Sequence, residues 1–501
     1  MTQTRVKDVV IVGGGTAGWI TASMLVKFLG PVINIHLIES EKIGRVGVGE
    51  ATIPPILRLN RLFNINEDEM MSACGATVKL GIKFDNWGHK GESYLHGFGH
   101  NGVHLNNLQF HHYWLRAKEL GIDADYWDFS PNWQASKAHK FAHNVRGKNG
   151  LSDLIYAYHF DALLFAGFLR KFAEKLGVKR TEGIVTNVNL NAEDGFIKSV
   201  SMESGEEIKG DLFVDCTGFR SLLLGEALGV PYVDWSKWLP CNRAVACGSS
   251  RVEPLPPYTR AAAHDAGWQW TIPLQHRNGE GHVYCSDFME ADEAEKILRD
   301  NVAGDFIGPA NHIKFTTGHR KEFWHKNCVG IGLSSGFLEP LESTSIHLIQ
   351  RFAGKLVDQF PAWPIQDGLR KEFNRQTLHE FGLIRDFLVL HYHRTDREDT
   401  EFWKYCKHME IPETLSDKME LFQSSAKLRW DPEDVFADPS WAQVMIGQGM
   451  MPDQYQTRAT AMNKTQLEQF FAQMRQMIES TLKDVPSHSD YINRYCQTDI
   501  S

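Results

Sequence analysis

The chain has 501 residues, a net charge of −9, 42% hydrophobic and 23% charged residues, which is an ordinary composition for a globular protein with a large core. It contains no long basic run, so neither nucleic acid nor an anionic membrane is expected as its main partner. The aromatic share of 11%, with 14 tryptophans, is high and favours a pocket for a flat substrate.

The cysteines and the N-terminus indicate the compartment. The eight cysteines are scattered without a C-x-x-C pair, as expected for reduced thiols. The first apolar strand begins within about eight residues of the N-terminus, which leaves no room for a signal peptide. No uncharged apolar run approaches the ~18 residues of a membrane span. We therefore predict a soluble cytoplasmic protein with no membrane segment. No metal is expected, because His111 with His112 and His391 with His393 lack partners at ligand spacing.

The first element is a strand, a glycine loop, a helix and a second strand. The apolar run Val9–Val12 has the length of a buried strand, and the strand Ile33–Ile38 ends on Glu39. Between them lie three glycines with the spacing G-x-G-x-x-G: Gly13, Gly15 and Gly18. Such glycines let backbone amides approach a pyrophosphate at a helix N-terminus, and the acid can bind a ribose diol. We predict a dinucleotide site, since an ordinary Gly-rich turn would give Glu39 no purpose.

Later elements favour FAD over NAD as the dinucleotide. A loop over Gly44–Gly49 is a candidate strap over the cofactor, and the segment 157–178 has a helical period with Asp161 as its start. The strands GIVTNVNL and IKSVSME form a predicted hairpin, and the strand DLFVDCTGF ends in Asp215 and Gly218. A D-x-x-G strand of this kind returns to the first unit and helps bind flavin, whereas a plain nicotinamide domain would continue with further βα units.

The remaining elements enclose this unit. Residues 61–150 are predicted to be helical and aromatic, residues 240–320 to form an antiparallel sheet, and the chain from about 358 to be helical. We predict an α/β fold in which an FAD-binding Rossmann-like module of the glutathione-reductase type interlocks with a mostly helical substrate module in one unit. The flavin module would comprise approximately residues 5–60, 151–230 and 320–357, and the substrate module 61–150, 231–319 and 358–501.

Lys79 is a candidate catalytic residue because it lies among apolar and small residues in GATVKLGIKFDNW. A surface lysine is the commoner fate of any one lysine. The alternative is a partly buried amine with a lowered pKa, or one that donates a hydrogen bond to a reactive oxidant.

The segment GFLEPLESTSI carries Glu339 and Glu342 just before a helix predicted from about Ile346. Ser343–Ser345 could simply cap that helix. Free backbone amides at the helix start could also bind an anion, and a neighbouring carboxylate could hydrogen-bond an oxidant or accept a proton.

Two pairs of aromatic residues could either pack in the core or contact a ligand. Trp268 and Trp270 in W-x-W-x-I-P share one face of a strand, which usually means core packing. His96 and Phe98, two residues apart, could stack on an aromatic ligand, although core packing is again the commoner outcome.

Five segments together, VIVGGGTAGW, GVGEATIP, ATVKLGIKF, GWQWTIP and GFLEPLESTSI, resemble the flavin-dependent halogenases of the tryptophan halogenase family. The resemblance runs in order from about residue 5 to 360, and SWAQVMIGQGMMPDQY (440–455) extends it weakly. Other FAD monooxygenases share the glycine loop but not the combination of W-x-W-x-I-P with this lysine and glutamate.

The resemblance implies a two-component enzyme. Reduced FAD from a separate flavin reductase reacts with oxygen to give a flavin hydroperoxide, which halide converts to hypohalous acid. The oxidant passes down an internal tunnel to Lys79, as a haloamine or as hypohalous acid held by the ammonium. Glu342 matches the glutamate that orients or polarises the oxidant and helps to remove the ring proton.

The resemblance also implies the other contacts. Halide, chloride or bromide, would lie at the amides of Thr344 and Ser345, and Trp268 and Trp270 would keep substrate off the flavin. The substrate positions are His96, Phe98, Ser440 and Trp441. The cofactor-contacting positions expected from the glycine loop and the resemblance are Gly13, Gly15, Thr16, Ala17, Gly18, Glu39, Gly49, Glu50, Ala51, Val185, Asp215, Gly218, Leu338 and Ile346.

Two departures bear on the substrate and the halide. Ser345 stands where enzymes acting on free tryptophan usually have glycine, which leaves halide preference open. The paired tyrosines that hold the amino-acid end of tryptophan are absent, and Ser440 and Trp441 lie near their place. Indole or another electron-rich aromatic is therefore expected rather than free tryptophan. The alternatives are an FAD-dependent aromatic hydroxylase and a non-catalytic flavin-binding protein, and a homodimer is left open.

Overall fold

The computed structural model of the chain describes residues 4–43 and 49–500, so most of the predicted Gly44–Gly49 strap lies outside the described residues. The strands are β1 (Thr4–Arg5), β2 (Asp8–Val12), β3 (Asn34–Glu39), β4 (Gly49–Ala51), β5 (Thr77–Lys79), β6 (Gly81–Asp85), β7 (Ser93–Gly97), β8 (Ala157–Asp161), β9 (Lys179–Glu182), β10 (Val185–Leu190), β11 (Ile197–Met202), β12 (Glu207–Lys209), β13 (Leu212–Asp215), β14 (Tyr232–Asp234), β15 (Arg243–Ser249), β16 (Thr259–His264), β17 (Gly267–Pro273), β18 (Asn278–Tyr284), β19 (Phe306–Lys314), β20 (Gly318–Arg320), β21 (Trp324–His325), β22 (Cys328–Gly330), β23 (Gly336–Phe337) and β24 (Ala362–Trp363). The α-helices are α1 (Thr16–Leu29), α2 (Ile56–Phe63), α3 (Glu67–Ala73), α4 (Phe110–Glu119), α5 (Pro131–Lys137), α6 (Ala162–Lys175), α7 (Ala291–Asn301), α8 (Ser345–Asp358), α9 (Asp367–His393), α10 (Glu401–His408), α11 (Glu413–Ser425), α12 (Asp438–Gly447), α13 (Lys464–Leu482) and α14 (His488–Tyr495).

A six-stranded sheet holds the glycine loop. Its order is β21-β22-β13-β2-β3-β9, and all neighbours are parallel except β21 and β22. The strands β2 and β13 are buried on both faces, as expected where helices cover a parallel sheet. The predicted return of the D-x-x-G strand to the first unit is therefore confirmed, and its end lies beside the end of β2.

A seven-stranded sheet, β19-β15-β18-β17-β16-β6-β7, forms the second layer. The predicted antiparallel sheet over 240–320 is present in it. The prediction that residues 61–150 are helical was incomplete, because β6 and β7 complete this sheet. Their side chains Ile82, Phe84 and Leu95 are fully buried, so pairing with a distant strand decided the structure over local preference.

A small sheet, β4-β8-β5, joins the two layers and carries Glu50 on one edge and Lys79 on the other. In the segment 157–178 the helical period was predicted with Asp161 as the helix start, and the residues before that start form the central strand of this sheet, β8, which pairs with β4 and β5 on its two edges. The helix α6 follows at once. Its predicted start is confirmed, since the Asp161 side chain accepts hydrogen bonds from the amides of Leu163 (3.0 Å) and Leu164 (3.3 Å).

The hairpin of β10 and β11 is antiparallel, as predicted, and covers a small separate apolar cluster. The other buried apolar residues of the described chain form one cluster that runs through both large sheets and the C-terminal helices. Among the described residues, no helix is both long and apolar enough to cross a membrane.

Candidate active site

The glycine loop between β2 and α1 brings backbones into close approach. Gly13 has φ +114°, and a Cβ there would lie 2.2 Å from the carbonyl oxygen of Cys216, at the end of β13. A Cβ at Gly18 would lie 1.8 Å from the carbonyl oxygen of Gly13. At Gly15 a Cβ would meet nothing within 4 Å. The start of α1 therefore faces open space with its amides accessible, which suits an anionic group.

Glu39 lies at the end of β3 and is oriented by its neighbours. Arg180 on β9 donates from Nε to Oε1 of Glu39 at 2.6 Å, and the indole N–H of Trp19 donates to Oε2 at 3.4 Å. A Cβ at Gly14 would lie 1.8 Å from Oε2, so the loop passes directly over the carboxylate. The carboxylate is thereby positioned to accept ribose hydroxyls. Arg180 was missed in the sequence, where nothing marks it as the neighbour of Glu39.

A cavity of about 580 Å³ extends from this loop towards α8 and the tryptophans of β17. Among the predicted cofactor positions, those that line it are Gly13, Gly15, Thr16, Ala17, Glu39, Gly49, Glu50, Ala51, Val185, Gly218, Leu338 and Ile346. Trp268 and Trp270 form part of its wall. Its size lies within the ~300–1,000 Å³ of ligand pockets, and its glycine-lined end can receive a pyrophosphate. The residues present therefore fit FAD.

Two predicted cofactor positions do not line the cavity. Gly18 acts by allowing α1 to approach the loop, as described above. Asp215 is fully buried, and its carboxylate accepts the amide hydrogens of Thr217 (3.0 Å), Leu223 (2.8 Å) and Leu224 (2.8 Å). Burial raises the pKa of Asp215, although these hydrogen bonds act to lower it. The residue thus fixes the turn that places Gly218 on the cavity wall.

Helix α8 begins at the far end of the cavity. Thr344 is its N-cap residue, but no side chain makes a capping hydrogen bond, so the capping expected from Ser343–Ser345 is not formed. Ser343 has φ +59°, in the left-handed region that favours glycine, and its hydroxyl bonds to Lys79 rather than capping the helix. Ser343 and Ser345 line the cavity, whereas Thr344 is buried behind them.

Lys79 is fully buried at the end of β5. Its Nζ donates a 2.8 Å hydrogen bond to Oγ of Ser343 and lies 5.5 Å from the centre of the Phe98 ring. Burial lowers the pKa of Lys79 to about 7, although the Glu342 charge opposes the shift. The amine can therefore be a proton donor or a neutral nucleophile near pH 7.

Glu342 is buried in a cage of two histidines. Nδ1 of His96 donates to both carboxylate oxygens at 2.8 and 3.0 Å, and Nε2 of His391 lies 2.9 Å from Oε1 without the geometry of a hydrogen bond. Nδ1 of His391 donates to the carbonyl of Phe387 at 2.8 Å. Burial would raise the pKa of Glu342, but the two histidines outweigh it and lower the value to about 2. The carboxylate therefore stays ionised.

The preceding acid, Glu339, is held differently. Its Oε2 accepts the indole N–H of Trp268 at 3.0 Å and the hydroxyl of Tyr392 at 2.5 Å. Burial raises the pKa of Glu339 to about 7 despite these two bonds. Glu339 therefore fixes Trp268 on the cavity wall. Helix α9 contacts both acids, because its Tyr392 donates to Glu339 and its His391 lies beside Glu342.

Two of the four predicted substrate positions, His96 and Trp441, belong to an aromatic cluster with Phe387 and Phe436. The His96 ring lies 5.5 Å from Phe387 and 6.1 Å from Phe436, and Trp441 lies 4.9 Å from Phe387. Phe98 is beside Lys79, and Ser440 is half-buried in the first turn of α12. The sequence offered no signal for Ser343, His391, Phe387 or Phe436, because each acts only through a contact with a residue from a remote segment.

Within residues 4–43 and 49–500, no three His, Cys, Asp or Glu side chains are grouped as a metal site would require. The charged groups of the site are thus Lys79 and Glu342 with its histidines. Together they supply a proton donor or nucleophile and a fixed negative charge, both shielded from water.

Residues 8–464 match the family model described as tryptophan halogenase. The chain is 36% identical to a tryptophan 6-halogenase of Streptomyces toxytricini, with 98% of each chain covered. It is 32% identical to a tryptophan 7-halogenase of Lentzea aerocolonigenes over 98% of this chain and 99% of that one. A solved flavin-dependent halogenase from Xanthomonas campestris superimposes with a TM-score of 0.96 at 45% identity, covering 99% of this chain and 100% of the other.

Proposed function

The chain belongs to the tryptophan halogenase family of flavin-dependent halogenases, and we propose that it halogenates an indole without the amino-acid group of tryptophan, using Lys79 and Glu342. Enzymes of this family use FADH2 and halide, act on indole-type aromatics and work with a separate flavin reductase, and this protein is such an enzyme. With oxygen and halide, the bound reduced flavin supplies hypohalous acid.

One observation supports the role of Lys79 above the others. Ser343 lines the flavin cavity, and its hydroxyl accepts the hydrogen bond from the Lys79 amine. A small oxidant that reaches Ser343 from the cavity is one side chain away from Nζ. The amine then holds it by a hydrogen bond or takes up its halogen, and releases it only towards a substrate ring on the other side.

Glu342 supplies a fixed negative charge beside that transfer. The aromatic ring becomes cationic when it takes up halogen, and a carboxylate held ionised in a dry site stabilises that charge strongly. The ring cation is a very strong acid, so even a carboxylate with a pKa of about 2 can accept its proton. His96 keeps the carboxylate in one orientation throughout, because it donates to both oxygens.

The charges near the aromatic cluster favour a substrate without a zwitterion. Asp434 accepts the indole N–H of Trp441 at 3.0 Å and pairs with Lys418 at 3.2 Å. Lys418 also lies 3.7 Å from the centre of the Trp441 ring. These two charges are satisfied by each other, which leaves neither for the ammonium or carboxylate of an amino acid.

We place the halide, chloride or bromide, at the start of α8. Ser345 is the first residue of this 14-residue helix and lines the flavin cavity, and Thr344 precedes it without a side-chain cap. Uncapped amides at the positive end of a helix attract an anion.

The test is a complete reaction with reduced FAD, a flavin reductase, oxygen, bromide or chloride, and indole, with tryptophan in parallel. We expect the bromine or chlorine isotope pattern in the indole product by mass spectrometry, and a much smaller yield from tryptophan. A hydroxylated product would show an aromatic hydroxylase instead, and preferred halogenation of free tryptophan would contradict the proposed substrate class.

A further inference from the structure

The catalytic groups are sealed from both solvent and the flavin cavity. The exposed fractions of Lys79, Glu342 and His96 are 0%, 1% and 3%. None of the three belongs to the cavity lining, which ends at Ser343. An aromatic substrate must touch Glu342 and receive halogen from Lys79. Some part of the wall around Glu342 must therefore move before a ring can enter.

A side chain already occupies the place that suits a substrate ring. Phe436 stacks on Phe387 with their ring centres 3.9 Å apart and their planes inclined by 20°. The Phe436 ring centre is 6.1 Å from that of His96, whose Nδ1 is bonded to Glu342. A flat ring in the place of Phe436 would make the same stacked contact with Phe387 and the same tilted contact with His96.

The other walls are held by regular structure. His96 is in β7 and Lys79 in β5, while Phe387 lies in the 27-residue helix α9 and Trp441 in α12. Moving any of them would break backbone hydrogen bonds of a sheet or a helix.

Phe436 lies instead in residues 426–437, which contain neither helix nor strand and connect α11 with α12. Polar side chains tie this segment to its surroundings at a few points. His379 is 3.0 Å from Asp431, His111 is 2.8 Å from the carbonyl oxygen of Ala426, and Asp434 has the contacts with Lys418 and Trp441 given above. Trp430 is 69% exposed and does not anchor it. Lifting the segment therefore breaks side-chain contacts and bonds at two helix ends, but no hydrogen bond of a sheet or of a helix interior.

We propose that Phe436 is a plug that occupies the aromatic subsite, and that a substrate enters by displacing it together with residues 426–437. The proposal rests on the halogenase function given above and adds the residue that controls entry to the aromatic subsite. The plug competes with the substrate, so the apparent affinity is the intrinsic affinity reduced by the open fraction. Because the opening moves a whole connecting segment, indoles with large substituents gain access as readily as indole itself.

The test compares Phe436→Ala with the wild type by isothermal titration of the flavin-free protein with indole and with 3-phenylindole. Loss of one stacked pair should lower the apparent Kd about threefold to tenfold for both ligands. Phe373→Ala is the matched control, since Phe373 is an equally buried phenylalanine near the start of α9 whose ring contact is Trp324. It should leave the indole Kd unchanged. An indole Kd that is unchanged or higher in Phe436→Ala, or no binding to either protein, would overturn the proposal.

Phe436→Leu is a second variant in case Phe436→Ala does not fold. Leucine keeps most of the apolar volume but has no aromatic ring that could stack on Phe387. It should lower the Kd by about threefold. Halogenation separates this proposal from the function. If Phe436→Ala binds indole more tightly but neither protein forms a halogenated product, the role of Phe436 is supported and the proposed halogenation of indole is wrong. If the wild type halogenates indole and KM is the same in Phe436→Ala, the function stands and the plug is wrong.

Discussion

The flavin end and the reaction end of this enzyme differ in how open they are. The flavin end is an open cavity of about 580 Å³, lined largely by glycines, backbone groups and apolar side chains. At the reaction end, Lys79 and Glu342 are almost completely buried. A large cofactor needs surface to bind, whereas an oxidant passed to one ring needs charges that water does not screen.

The same contrast governs the ionisable groups. Burial alone would neutralise every one of them, and it raises the pKa of both Glu50 and Glu339 to about 7. Glu342 is the exception, since His96 and His391 reverse the shift. Glu342 is therefore held ionised at the place where, on the proposed function, a cation forms during the reaction.

Replacing the buried amine of Lys79 should have the largest effect on halogenation. We expect Lys79→Ala to lower the halogenation rate by about 10²–10⁴-fold, because it removes the group that receives the oxidant. FAD affinity and oxygen consumption should stay within about twofold, since Lys79 does not line the cavity. Product yield by mass spectrometry, FAD titration and an oxygen electrode check the three quantities. Normal halogenation by this variant would remove Lys79 from the mechanism.

Glu342→Gln should have a smaller effect. Glutamine keeps the shape and one acceptor for His96 but loses the negative charge, so we expect kcat to fall about 10²-fold with FAD affinity unchanged. Single-turnover halogenation with an excess of reduced flavin measures this rate. Glu413→Gln, at the exposed start of α11, is a control for the same change elsewhere. An equal loss in both variants would argue against a local role.

Glu39→Gln should affect only the flavin end. The loss of a charged acceptor for ribose hydroxyls, together with the weakening of the bond from Arg180, should raise the Kd for FAD about tenfold. At saturating FAD the halogenation rate should match the wild type, because Glu39 is at the end of the cavity remote from α8. A fall in kcat that excess FAD does not restore would show that the two ends are not independent.

The smallest expected effect tests the wall between the two ends. The pKa of Glu339 is raised to about 7, so its contribution to stability is full below the unfolded value of ~4.5 and is lost as pH rises through 7. Glu339→Gln is neutral at every pH, so the fall in melting temperature between pH 5 and 8 should be smaller in this variant. The difference corresponds to about 1–3 kcal/mol. Thermal scans at both pH values measure it, and parallel curves would show that Glu339 is ionised throughout.

Local patterns in the sequence determined the flavin end. The glycine spacing, the apolar strands and the acid at the end of the second strand are read within about 40 residues, and the D-x-x-G strand returned beside them as predicted. Even there, Arg180 could not be found, because it meets Glu39 only through the pairing of β3 with β9.

The family resemblance named Lys79, Glu342 and His96, but only the tertiary structure decided how they are arranged. Ser343 connects the amine with the cavity, His391 reaches Glu342 from α9, and Phe436 closes the space from an irregular segment. Ser343 is 264 positions from Lys79, His391 is 49 positions from Glu342, and Phe436 is 340 positions from His96. Periodicity records which face of an element is buried, but not which distant side chain meets it, and the desolvation that sets the charges exists only after the chain has packed.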